Sequence, residues 1–177
     1  MGWAWLILLL ATYPWLFAAD LASDFTASSG LVIFISGACI VAPCRRLRRW
    51  QSVPFAACVG FLFEARRPIP DGALALFLAG AAIFLTSDKQ LIRNTPRMLR
   101  AAAASNAAAC LIWFTFAAGA AGQLGGAKFF SFIPQLIIPV VLAAVTGVVI
   151  YIPVSLVQNA AMDRMGIPPA SEGPESP

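Results

Sequence analysis

The chain has 177 residues, 60% of them hydrophobic and 11% charged, with 12 Lys or Arg, 8 Asp or Glu, no histidine and a net charge of +4. A soluble domain of this size must carry charge outside, so lipid is the expected solvent for most of this chain. The lack of histidine removes most zinc sites, histidine-based triads and imidazole relays, and basic residues clustered between apolar runs point to membrane orientation and anionic headgroups rather than nucleic acid.

Six apolar runs follow in chain order. The first, residues 2–19, ends at Asp20. Its start, "MGW", has no Lys or Arg, so it is expected to stay as a helix and not be cleaved as a signal peptide. The second, 25–43, ends in the basic "CRRLRR". The third, 51–65, and the fourth, 71–87, would be roughly 22 and 25 Å long at helical rise, short of a hydrocarbon core of roughly 30 Å. The fifth, 98–120, follows "DKQLIRNTPRMLR", and the sixth covers 133–159. The expected fold is all-α: a polytopic membrane bundle of about six transmembrane helices over residues 1–160, with a short third/fourth helix hairpin. The Pro-, Ser- and Glu-rich end, 161–177, is expected to be a disordered cytoplasmic tail.

With six spans, Arg45, Arg46, Arg48, Arg49, Lys89, Arg93, Arg97, Arg100 and Arg164 share one side, against Arg66, Arg67 and Lys128 on the other. That asymmetry places both termini in the cytoplasm.

Small residues mark the expected helix contacts: Gly60, Ala75 with Ala79, Ala104 with Ala108, and Ala143 with Gly147. They let backbones approach where lipid gives no hydrophobic drive between helices. In the alanine-rich fifth run, Ser105 and Asn106 need hydrogen-bond partners, and interhelical glue is the expected role. Pro139 and Pro153 are expected to kink the sixth helix, and Pro134 suits a first turn. Cys39, Cys44, Cys58 and Cys110 show no CxxC pairing and are expected to pack as small hydrophobes.

The stretch "VGFLFEARRPIPDG", 59–72, sets Glu64 near the end of the third run. A carboxylate at that depth is costly, so Glu64 is expected to face protein and be paired, with Arg66 and Arg67 as local partners. Gly60 lies one turn earlier on the same face, where a neighbouring backbone can approach. Asp71 is the expected N-cap of the fourth helix, with Pro68 and Pro70 fixing the approach.

Gly60, Glu64, Pro70 and Gly72 resemble the "G-L-L-x-D…S-x-P-x-G" signature of the rod shape-determining MreD family. The acid follows the first glycine by four, the second glycine follows the acid by eight, and a proline stands two before it. The family usually has aspartate at the acid and small polar residues where this chain has "ARRPIP". The resemblance implies a non-enzymatic inner-membrane subunit of the bacterial cell-wall elongation machinery, without cofactor, metal or catalytic residue. Its implied partners are an MreC-like scaffold, cell-wall synthesis proteins and, in the cytoplasm, the MreB filament. It also implies a fold similar to the substrate-binding subunits of energy-coupling-factor vitamin transporters.

The alternative is a small-molecule binding subunit of such a vitamin-type transporter. Trp113, Phe114 and Phe116, with Lys128, Phe129 and Phe130, are the aromatic and basic residues that would line its site; an interfacial aromatic belt is the plainer reading of the same residues. An intramembrane enzyme is not expected, since no acid pair lies in register and Ser105 has no visible base.

Overall fold

In lipid the α-helix pairs nearly every backbone amide within its own segment, so apolar runs of this length fold as helices. The computed structural model describes residues 3–26, 32–65, 72–122 and 127–168, with Lys89 and 127–132 described by backbone alone. Six α-helices are found among them: α1 (Ala4–Thr26), α2 (Ser36–Arg46), α3 (Arg49–Glu64), α4 (Ala73–Ser87), α5 (Thr95–Ala120) and α6 (Ala127–Arg164). A 3-10 turn, Lys89–Ile92, joins α4 to α5, and no strand occurs among the described residues. The protein is an all-α helical bundle, as expected.

Three helical segments, Ala4–Thr26, Thr95–Ala120 and Ile133–Arg164, are long and apolar enough to cross a membrane. The other three have 11, 16 and 15 residues, roughly 16, 24 and 22 Å of helix. The expected short hairpin is therefore present as α3 and α4. The second run is where the boundaries move. Phe25 and Thr26 still belong to α1, residues 32–35 are non-helical, and the helix begins only at Ser36.

Every residue from Ser36 to Cys44 is buried, and α2 touches α3, α4, α5 and α6. A helix with no exposed stripe belongs at the centre of a bundle, and the sequence "SGACIVAPC" has the small residues that such crowding requires. Cys39, Cys44 and Cys110 are buried free thiols and Cys58 is half-buried, in line with a packing role.

The C-terminal ends of α2 and α6 meet through Arg46. Its guanidinium donates to Asp163 Oδ1 at 2.6 Å, to the Asn159 carbonyl at 3.4 Å, to the Pro168 carbonyl at 3.3 Å and to the Ile167 carbonyl. The Ile167 and Pro168 carbonyls lie just past the end of α6, where a cation meets both them and the negative end of the helix dipole. The segment expected to begin a disordered tail at 161 is thus packed as far as it is described: α6 runs to Arg164, and Met162 is fully buried. Residues 169–177 lie outside the described part.

Two expectations on helix faces are modified. In α5 the buried positions are Met98, Ala102, Asn106, Ala109, Cys110 and Ala118, so in the alanine-rich stretch the inward face is Ala102, Asn106 and Ala109, while Ala104 is exposed and Ala108 half-buried. In α6 one 38-residue helix, Ala127–Arg164, runs through Pro134, Pro139 and Pro153, so Pro134 stands inside the helix and not in its first turn. Its outer face carries Ile137, Val141, Val145, Val149 and Leu156, all exposed, a stripe that suits acyl chains.

Candidate functional site

The sequence points to the α3–α4 hairpin, and its geometry centres on Glu64. This residue ends α3 and is 1% exposed. Its Oε2 accepts from the Gly72 amide at 2.9 Å and its Oε1 from the Leu74 amide at 2.6 Å. Both belong to the start of α4, whose N-cap is Gly72 and has no side chain to offer. The first amides of any helix lack intrahelical acceptors. Here the acid of the preceding helix takes the place of the capping side chain, and its charge sits against the positive end of the α4 dipole.

Two glycines make the arrangement possible. A β-carbon on Gly60 would lie 2.5 Å from the Ala75 Cα and 2.6 Å from its nitrogen, so only glycine lets α4 come within reach of the acid. Gly72 has φ +106°, a conformation that residues with a β-carbon adopt at a cost of roughly 1–2 kcal/mol. Gly60, Glu64 and Gly72 are brought together; the expected partners of the acid were Arg66 and Arg67, and those found among the described residues are the Gly72 and Leu74 amides. The expected N-cap, Asp71, is displaced by one residue: Gly72 is the cap and Glu64 supplies the acceptors. Asp71, Arg66, Arg67, Pro68 and Pro70 lie outside the described residues.

A second polar centre lies deeper and was only half legible. Asn106 is fully buried. Its Oδ1 accepts from the Gly37 amide at 3.1 Å, and its Nδ2 donates to the carbonyls of Phe34 at 2.5 Å and Ala143 at 2.7 Å. Thr146 Oγ1 also donates to the Phe34 carbonyl at 3.0 Å. The backbone groups freed where α2 begins are thereby satisfied by α5 and α6, as buried irregular backbone requires. Glycines again allow the contact: a β-carbon on Gly147 would meet the Ala102 carbonyl and Asn106 Cβ at 2.9 Å, and one on Gly37 would overlap the Ser105–Asn106 backbone. Asn106 is interhelical glue, as expected, but Gly37 and Thr146 carried no sequence signal.

A third centre escaped sequence reasoning altogether. Pro43 lies inside α2 and has no N–H, so the Cys39 carbonyl four residues earlier loses its helical donor. Gln158 Nε2 takes that place, donating to the Cys39 carbonyl at 2.8 Å and to Thr12 Oγ1 at 3.0 Å. A buried glutamine in an apolar run was the available signal. The centre ties α1, α2 and α6 together.

The aromatic residues divide. Trp113 and Phe114 turn onto the fully buried Phe34, with ring centroids at 5.8 and 6.4 Å, and Phe34 in turn packs on Phe63 at 5.1 Å. Only Phe116 is exposed among the three aromatics of that helix segment, so the belt reading suits Phe116 and not its neighbours. The side chains of Lys128, Phe129 and Phe130 lie outside the described part. Comparison with protein-family models, with curated proteins and with solved structures gives no match for this chain.

Proposed function

We propose that this chain is a non-enzymatic subunit of the bacterial cell-wall elongation (rod shape) machinery, a multi-pass inner-membrane scaffold with both termini in the cytoplasm. The observation that carries the reading is the pair of hydrogen bonds from the first turn of α4 to Glu64. Both glycines and the acid of the MreD-like spacing thereby gain a physical role. Gly60 admits α4, the acid secures its first amides, and Gly72 makes the left-handed turn. A hairpin set in one shape by buried bonds suits a surface that a partner must recognise. An MreC-like scaffold and cell-wall synthases are the partners this reading names, with the MreB filament at the basic, cytoplasmic end.

The test is mild cross-linking in native membranes, purification of the tagged full chain, and identification of what is retained, alongside cell shape on depletion. Enrichment of an MreC-like scaffold and rounding of the cells are expected. Retained rod shape with no such scaffold in the eluate overturns the reading.

A second reading, a small-molecule binding subunit of a vitamin-type transporter, is favoured by one feature. Two residues after Phe34 of the aromatic cluster, the Ser36 hydroxyl is buried with no hydrogen-bond partner among the described residues. A thermal-shift screen of the purified chain against vitamins separates the two, because a scaffold subunit gives no shift.

A further inference from the structure

A cavity of about 490 Å³ opens between the C-terminal half of α4 and the first turns of α5. Arg97, Arg100, Ala101 and Ala104 line it from α5, a spacing of three, four and seven residues that puts them on one helix face. The face is basic at the helix start and becomes bare alanine about 10 Å deeper, at helical rise. Phe84 and Leu85 of α4 form the opposite apolar wall, and Ser105 lies at the inner end.

The polar groups at the mouth are set for an anion. Arg97 Nη1 donates to the Gln90 carbonyl at 2.9 Å, which holds that side chain over the cavity while leaving its other N–H groups available. The Arg100 side chain, exposed on α5, makes no hydrogen bond or ion pair among the described residues. Asp88 also lines the mouth, but its Oδ1 accepts from the Gln90 amide at 3.1 Å as the cap of the 3-10 turn. The order along the wall, cation then apolar slot, is the order of a phospholipid from headgroup to acyl chain.

We infer that this cavity binds one anionic phospholipid, its phosphate between Arg97 and Arg100 and the upper part of one acyl chain against Ala101 and Ala104. A free phosphate would find its charge partners at the mouth but leave the apolar slot empty. A lipid fills both. The inference stands apart from the cell-wall reading, since it uses neither the hairpin nor its partners.

Native mass spectrometry of the detergent-purified full chain tests it, titrating dioleoyl phosphatidylglycerol, dioleoyl phosphatidylcholine and inorganic phosphate. One phosphatidylglycerol adduct is expected to saturate first, with phosphatidylcholine weaker and phosphate failing to compete. R97Q/R100Q is expected to weaken that adduct about 30-fold, from the usual attraction of two arginines for an anionic headgroup. Ala104→Leu, which fills the slot without touching charge, is expected to weaken it too, at an unchanged size-exclusion profile. R48Q/R49Q removes two exposed cations elsewhere and is expected to leave the adduct intact. Equal loss in R48Q/R49Q, indifference to Ala104→Leu, or competition by phosphate overturns the inference.

Discussion

Replacing Glu64 by leucine asks whether the acid is needed or merely tolerated. The side chain is 1% exposed and its two oxygens hold the Gly72 and Leu74 amides at 2.9 and 2.6 Å. Leucine fills similar volume but leaves two buried donors without an acceptor, each costing about 1–3 kcal/mol. In a membrane the unfolded reference state also finds partners, which lowers such figures, so about 3 kcal/mol is expected for E64L. For a chain of this size that corresponds to a fall in Tm of roughly 6–12 °C. E64Q keeps one acceptor and sets an amide N–H against a donor, so about half the loss is expected; E64D, shorter by one methylene, keeps the charge and loses least. Thermal unfolding of the full chain in detergent gives the order, and hydrogen exchange should show protection lost in the first turn of α4 but not in α5. The rival view is that burying a carboxylate is a net cost, so that an apolar replacement stabilises. A leucine variant melting at or above wild type would refute the capping account outright.

The other centres give sharper local tests. Gly72→Ala puts its β-carbon 3.8 Å from the Phe61 ring, an ordinary contact, but keeps φ +106°, so a loss of about 1–2 kcal/mol is expected from conformation alone, whereas Gly60→Ala forces α4 away from α3 and should abolish the protection that Glu64 confers. Asn106→Leu strands the Gly37 amide and leaves the Phe34 and Ala143 carbonyls one donor fewer, with Thr146 still in reach of both, and at membrane values for interhelical bonds about 2 kcal/mol is expected, read as Tm. Gln158→Leu leaves the Cys39 carbonyl without a donor and should cost about 1–2 kcal/mol. Adding Pro43→Ala returns a helical N–H to that carbonyl, so the double variant should recover most of the loss; no recovery would refute the role given to Gln158.

What the sequence made legible was local. Gly60 and Glu64 share one face of α3, and Gly72 follows only eight residues after the acid at the start of α4, so nearness in sequence is enough to suggest one hairpin. The start of α2 was not legible, because Val32, Ile33, Phe34 and Ile35 are as apolar as any helical run, and hydropathy does not distinguish helix from irregular backbone. What stabilises that irregular stretch is Asn106 and Thr146, far along the chain. The inward face of α5 failed for a different reason: with alanine at seven of the nine positions from 101 to 109, periodicity has no contrast to read. Gln158 could have been suspected from its place in an apolar run, but its partner carbonyl is exposed to it only through Pro43 in another helix.

The three polar centres are separate in their hydrogen bonds yet not fully independent. Asn106 fixes the Phe34 carbonyl, and the Phe34 ring packs on Phe63 at 5.1 Å, the residue before Glu64 in α3. A shift at either centre therefore reaches the other through one aromatic pair, a contact type worth about 0.5–1.5 kcal/mol beyond its buried area. Sites without such a link add to within about 0.3–0.5 kcal/mol. The cycle of Glu64→Gln, Asn106→Ala and the double variant is expected to show a coupling of about 0.5–1 kcal/mol, drawn from the same pair contact. Repeated in a Phe63→Leu background, the coupling should fall to the additive limit, because the ring that connects α2 to the hairpin is gone. Coupling that persists without Phe63 would mean that the hairpin and the bundle centre communicate through backbone packing of α2 against α3 and α4, and the aromatic link would have to be abandoned.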